Sequence, residues 1–320
     1  MPRCLVRGSI NVDEFFQVKD FVRPGQTISS TELVKRLGGK GANQSVAIAR
    51  AGGVVDFVGA IGSDGLGVRD DLKNAGVNVD QTRLVEESTG RAIIQVNAAG
   101  ENSIILFKGA NYASITPPPI HPDTTYMVFQ NEVPLASTIE FLTLARGSNI
   151  ATVFNPSPMP TPDELRSFPF DKITWLVVNE GEVAELCEAL DVAVKTEGFD
   201  LVEDARKLVL GLAGRLRSTN IICTLGADGV LAKFCVSDEC VHLPAAKLQG
   251  PPLDTTGAGD CFTGYMVAGL MQLEGNVVSE HIAVLQRAIQ AAGMCVERAG
   301  AASSIPLRAE VESRLRGVPE

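Results

Sequence analysis

The chain has 320 residues, 45% apolar and 21% charged, a balance expected of a folded globular protein with one large domain or two ordinary ones. Lys and Arg number 28 against 38 Asp and Glu, a net charge of −10, which argues against a broad basic face for nucleic acid or an anionic membrane. No stretch approaches the ~18 consecutive apolar residues of a membrane span, and seven cysteines without a CxxC spacing beside three scattered histidines argue against a disulfide scaffold or a zinc site.

A cytoplasmic setting, with the nucleus also open to the protein, fits this composition. A short strand at 4–6 leads into GSINVD (8–13). Strand-like stretches at 11–21 and 28–37 are joined by a Pro24-Gly25 turn. A helix at 42–51 follows the Gly-rich GGKGANQ (38–44), then a strand at 55–61 and a helix at 67–75. Strands at 92–97 and 103–108, separated by Ala-Ala-Gly-Glu-Asn, read as a hairpin. These early pieces suggest a small β-sheet lid, built from about 9–37 and 90–110 and inserted in a single domain spanning 1–320. The alternative is an irregular edge of the same body. The proline-rich 115–123 is a surface connection, as is 247–252.

From about 124 onward, strands at 126–130, 150–154, 173–178, 220–225 and 230–234 are interleaved with helices at 136–145, 180–190, 202–216, 259–273 and 280–297. That order predicts an α/β fold: a doubly wound, mostly parallel central sheet with helices on both faces.

Five segments carry candidate chemistry. DTTGAGDCFTG (254–264) packs small residues against a helix start, where converging N–H groups bind anions. Asp260 there is either a base towards a hydroxyl that attacks the anion or a helix cap. GGKGANQ lacks the Ser or Thr of a P-loop but offers Lys40 and Asn43 to a polyhydroxylated ligand. Asn11 and Asp13, two apart on an extended chain, face one side and can grip vicinal hydroxyls. Asn179 and Glu182 open a helix, either as organisers of water around Mg²⁺ or as a capping box. The turn TLGADG (224–229) suits phosphates or an adenosine, or is only a turn. No GxGxxG fingerprint is present.

Taken together, GGKGANQ and DTTGAGDCFTG, in this order and at this separation, resemble the ribokinase family, the phosphofructokinase-B-type carbohydrate kinases. GSINVD and FQNEVP (129–134) strengthen the likeness, which runs from Gly8 to about Leu315. The resemblance implies ATP-dependent phosphorylation of D-ribose at its 5-hydroxyl, with Asp260 as catalytic base. It assigns Asn11, Asp13, Gly39, Lys40, Asn43, Glu132 and Asp260 to the sugar. It assigns Asn179, Thr224, Leu225, Gly226, Ala227, Asp228, Gly229, Gly259 and Asp260 to the nucleotide, and Glu182 indirectly to Mg²⁺. A monovalent-cation loop for K⁺ maps to Asp254, Thr256, Cys295, Arg298, Gly300 and Ser304. A homodimer through the lid sheet is the implied assembly, with sugar and ATP as the small-molecule partners and no nucleic acid or membrane.

The chain departs from the family pattern at the adenine contact, where Ile289 or its neighbour Gln290 stands at a position that often holds His or Asn. Two further readings stay open: a kinase of another sugar or a nucleoside on the same fold, and a non-catalytic sugar-binding regulator. The intact Asp260 speaks against the regulator. The crowd of hydroxyl-binding side chains speaks against a nucleoside.

Overall fold

The computed structural model describes residues 1–99, 101–196, 198 and 200–317. Gly100 of the expected hairpin loop, Glu197, Phe199 and residues 318–320 lie outside the described residues. Thirteen strands are described: β1 (Arg3–Arg7), β2 (Asn11–Gln17), β3 (Glu32–Gly38), β4 (Val54–Ile61), β5 (Thr82–Leu84), β6 (Gly90–Val96), β7 (Asn102–Phe107), β8 (Thr124–Phe129), β9 (Ala151–Phe154), β10 (Trp175–Asn179), β11 (Asn220–Thr224), β12 (Val230–Lys233) and β13 (Cys240–Leu243). The helices are α1 (Lys40–Arg50), α2 (Leu66–Asn74), α3 (Leu135–Gly147), α4 (Pro162–Ser167), α5 (Glu180–Ala189), α6 (Leu201–Arg215), α7 (Ala258–Leu270), α8 (Val278–Val296) and α9 (Arg308–Leu315).

The central sheet runs β13-β12-β11-β10-β9-β8-β1-β4-β5. Every pairing from β11 to β5 is parallel; β12 and β13 close the far edge as antiparallel strands. Its strands are nearly continuous apolar runs because both faces are covered. One face packs on α1, α7 and α8 through Val46, Ile48, Met266 and Leu285. The other packs on α3, α5 and α6 through Phe141, Leu186 and Leu212. The doubly wound α/β class read from the sequence is therefore the observed one. The adjacent strands expected at 220–225 and 230–234 are β11 and β12, and β13 follows as a third strand in succession. The expected 11–21 and 28–37 strands shorten to β2 and β3, and β5, β13, α4 and α9 were not anticipated.

A second sheet runs β3-β2-β6-β7, with β2 and β6 parallel and both flanking pairs antiparallel. Gly8, Ser9 and Ile10 join β1 of the large sheet to β2 of the small one, so this junction ties the two layers together. Among the described residues no helix is long and apolar enough to cross a membrane, and all seven cysteines are free thiols.

Candidate active site

Helix α7 is capped by Gly257, whose left-handed backbone (φ 81°) is open to glycine, and where a Cβ would lie 2.9 Å from the Ala301 Cα. This close turn aims the first amides of α7 into a cavity of about 220 Å³ lined by Lys40, Asn155, Asn179, Glu182, Thr224, Gly257, Gly259 and Asp260 among others. Helix N-termini of this kind favour anions.

Asp260, in the first turn, is 6% exposed. Its Oδ2 accepts from Asn43 Nδ2 at 3.0 Å and its Oδ1 from Gln44 Nε2 at 2.9 Å. The cap at the helix start is Gly257, without a side-chain bond, so Asp260 does not serve as the N-cap. Gln44 is itself fixed by Gln130, whose Nε2 donates to Gln44 Oε1 at 2.6 Å. Gln44 and Gln130 were passed over in the sequence, although both fall inside the quoted motifs.

The residues expected to hold the sugar gather around the junction of the two sheets. Asn11 and Asp13 lie on one face of β2, both buried. Asn11 Oδ1 accepts from Asn111 Nδ2 at 2.7 Å, and Asn111 Oδ1 accepts from the Ile10 amide at 2.9 Å. Asn111 is thus a supporting residue that the sequence did not reveal. Asp13 lies against Gly38, where any Cβ would come within 2.0 Å of its carboxylate. Its Oδ1 and the Oδ1 of Asn43 are both buried without partners. Burial, then the nearby charges of Glu132 and Asp260, push the Asp13 carboxyl up to about 7. Glu132 Oε2 accepts from the Lys40 amide at 2.9 Å and from Ser9 Oγ at 2.5 Å. Gly39 caps α1 with φ 89°, where a Cβ would crowd the Asn11 amide at 3.0 Å. Burial works against the Lys40 ammonium, but the charges of Asp260, Glu132 and Glu182 outweigh it and raise its pKa.

Among the residues expected on the nucleotide side, Asn179 and Glu182 form a capping box: Glu182 N donates to Asn179 Oδ1 at 2.8 Å and Asn179 N to Glu182 Oε2 at 2.9 Å. Both still line the cavity, and Glu182 keeps its second oxygen for other partners. Thr224 lines it too. Leu225 turns its side chain into the core, leaving its backbone and that of Gly226, Ala227, Asp228 and Gly229 to form the turn. Ile289 is core, 7% exposed, whereas Gln290 Nε2 is buried without a partner.

Asp254 ties two distant loops together: Oδ1 accepts from Thr256 N at 2.9 Å and Oδ2 from Gly300 N at 2.8 Å. Cys295 Sγ lies 2.9 Å from Ser304 Oγ, which donates to Ala301 O. The Arg298 guanidinium is turned away to Glu310, so only its backbone could face an ion.

Residues 1–308 match the pfkB family carbohydrate kinase model. A ribokinase of Staphylococcus aureus is 32% identical over 319 residues, covering 97% of this chain and 98% of the relative. A ribokinase of Schizosaccharomyces pombe is 33% identical over 335 residues, covering 98% and 97%. The crystal structure of ribokinase from Cryptococcus neoformans var. grubii in complex with ADP aligns with TM-score 0.89 and 48% identity, covering 98% of this chain and all of that one. The Arabidopsis thaliana ribokinase complexed with ribose and ATP aligns with TM-score 0.83 at 27% identity, covering 98% and 99%. With that model matched over nearly its whole length and ribokinases more than 30% identical across almost all of it, the chain belongs to the pfkB family of carbohydrate kinases.

Proposed function

We propose that this protein is an ATP-dependent ribose kinase that makes D-ribose 5-phosphate. The observation that carries the reading is Asp260: its carboxylate is held by two amide donors at the start of α7, between the Asn11, Asp13, Asn43 and Glu132 cluster and the phosphate-sized cavity. Asp13, Asn11 and Asn43 hold the sugar hydroxyls. Asp260 accepts the proton of the attacking hydroxyl, and the amides of Gly257, Gly259 and Asp260 receive charge on the transferring phosphoryl oxygens. Lys40 adds a positive charge at the same place. The small sheet covers the cleft and excludes water, the competing acceptor.

The donor set suits the expected ions. Among the described residues no group of three acidic, His or Cys side chains forms a metal cage. That fits Mg²⁺, which keeps most of its waters and is held by nucleotide phosphates, with Glu182 and Asn179 reaching it through water. Mg²⁺ supplies charge neutralisation on those phosphates. For K⁺, the contacting loops at 254–257 and 300–301, tied by Asp254, offer one carboxylate and backbone carbonyls next to the anion site. Thr256, Cys295, Arg298, Gly300 and Ser304 would contribute mainly through backbone oxygens. Gln290 is the better candidate for the adenine, because Ile289 belongs to the core.

The outer strand β7 carries Ile104, Ile105, Leu106 and Phe107, each at least half exposed, an apolar edge that a second copy would cover. We place the reaction in the cytoplasm, with the nucleus also open to it. The test is ADP release with ATP and a panel of pentoses, hexoses, nucleosides and sugar phosphates. A ribose kinase turns over ribose with the highest kcat/KM; a preference for a nucleoside or a hexose moves the substrate, and binding without turnover overturns the enzyme reading.

A further inference from the structure

Arg36 on β3 stands directly opposite Asp13 on β2, so the two side chains leave the same face of the small sheet. There they part. The Asp13 carboxylate lies against Gly38, whereas the Arg36 guanidinium lies over the Phe15 ring, its Cζ 5.3 Å from the ring centre. Arg36 is exposed, and among the described residues it makes no hydrogen bond or ion pair. A planar, weakly hydrated guanidinium can rest on an aromatic face without such bonds.

The far end of this side chain reaches the body of the protein. A Cβ at Gly300 would lie 2.6 Å from Arg36 Nη1, so the absent side chain leaves the space that the guanidinium takes. Gly300 N donates to Asp254, and the next residue, Ala301, is the one that Gly257 packs against at the start of α7. The charges agree with this placement. The Asp13 carboxyl is pushed up by burial, Glu132 and Asp260, with no relief from Arg36 across the strands. At Asp254 burial opposes ionisation, the Thr256 and Gly300 amides favour it, and Arg36 adds a favourable positive charge. The guanidinium thus serves the loop, although its backbone belongs to the sheet.

We infer that Arg36 is a positioning residue for phosphoryl transfer: seated on Phe15, it sets the small sheet that carries Asn11 and Asp13 against the Gly300 loop beside the start of α7. The inference rests on the ribose-kinase reading above. In that reading the sugar is held by the small sheet and the phosphoryl group by the α7 amides, so their separation is set where sheet and body meet. The 8–10 junction is one such place, and Arg36 supplies another. Ribose that orders the small sheet then orders the 254–257 and 300–301 loops through Arg36. Nucleotide bound at α7 must tighten ribose by the same factor, because coupling between two sites is reciprocal.

Calorimetry at constant K⁺ measures that factor as the ratio of the ribose Kd without and with saturating ADP and Mg²⁺. In the wild type it should be about fivefold or more, the lower end of usual couplings. Arg36→Ala should keep its unfolding midpoint and nearly its nucleotide-free ribose Kd, while the factor falls towards one. Its kcat should fall roughly tenfold, since small misplacements of reacting groups cost up to about 10²-fold. Phe15→Leu, which removes the seat, should lose the same coupling, and the double variant should lose little more. A factor of one in the wild type, or a folded Arg36→Ala protein with the wild-type factor and kcat, overturns the inference. A wild type that does not phosphorylate ribose overturns the kinase reading itself, and the inference with it.

Discussion

Gln44 Nε2 donates to Asp260 Oδ1 at 2.9 Å, across 216 positions of sequence, and its own orientation is set by Gln130 behind it. With Asn43 on the other oxygen, the carboxylate is held in one rotamer and one plane. Asp260→Asn should fold and bind ribose, because the amides of Gln44 and Gln130 can flip together: Gln130 Oε1 has no partner and can become the acceptor. Turnover should fall by about 10²–10⁴-fold, the usual cost of removing a general base. Calorimetric ribose binding beside a coupled ADP assay checks this, and near-normal kcat in the folded variant removes Asp260 as the base.

Gln44→Ala tests positioning, not chemistry. It frees one oxygen of Asp260 and strands Gln130 Nε2 in the interior. Because small misplacements of a reacting group can cost as much as about 10²-fold, kcat should drop by roughly one order of magnitude while the KM for ribose changes little. Gln44→Asn, too short to reach, should not rescue it; a loss confined to thermal stability would leave Gln44 a packing residue.

The raised Asp13 carboxyl gives a sign for pH. Its value of about 7 means that it is ionised above neutrality and protonated below. The ionised form offers two acceptor oxygens to sugar hydroxyls and the protonated form fewer. Sugar affinity should therefore weaken as pH falls from 8 to 6, by about tenfold per unit once below the apparent pKa. Asp13→Asn should bind more weakly at every pH but with a flat profile. A ribose KM that is independent of pH in the wild type would refute this role for Asp13.

Much of this arrangement could be read from residues that chemistry forces into plain patterns. The central strands are apolar runs because helices cover both faces, the glycines at 39 and 257 mark places where backbone must approach backbone, and Gly38 leaves room for the Asp13 carboxylate. What escaped was either short or distant. Strand β5 has three residues and α4 six, too few for a period to show. Ser9, Gln44, Asn111 and Gln130 act through partners about 90 to 220 positions away, and one chain shows no such pairing. The Asn179 and Glu182 pair shows the opposite limit: the capping reading and the ligand reading use the same spacing, and the folded chain makes the cap while leaving one Glu182 oxygen to the cavity.

The apolar edge of β7 predicts an assembly. Asp13 pairs with Ala92 and Ala92 with Leu106, so Leu106 and Ile104 share the sugar-facing side of the small sheet. Covering that side with a second copy would bury apolar area and shield the sugar together. Replacing both Ile104 and Leu106 by Lys should give monomers in sedimentation experiments and raise the KM for ribose. A wild-type protein that sediments as a monomer at assay concentrations rejects the pairing.

The last prediction concerns Asp254. Burial opposes its ionisation, but the amides of Thr256 and Gly300 hold its carboxyl below the ordinary value, so it is a full negative charge at any assay pH near neutral. Arg36 lends it a favourable positive charge, while the Arg298 guanidinium pairs with Glu310. A carboxylate among backbone carbonyls suits a large monovalent ion better than Mg²⁺, which demands tight octahedral geometry and retains its water. Such an ion would stiffen the contact between Gly257 and Ala301, the turn at the start of α7 whose amides are proposed to receive the phosphoryl group. K⁺ should therefore activate the enzyme and Na⁺, smaller for the same loop, should do so poorly. One lost anion-hole donor costs about 2.7–4 kcal/mol elsewhere, so even partial misalignment would be plain in kcat or in the KM for ATP. Asp254→Asn should lose most of the K⁺ response, since one of its two amide-accepting oxygens becomes a donor facing a donor. The measurement is initial rate in Tris at matched ionic strength with K⁺, Na⁺ or neither, for wild type and variant. Equal wild-type rates in all three would remove the cation site while leaving Asp254 its role as the tie between the two loops.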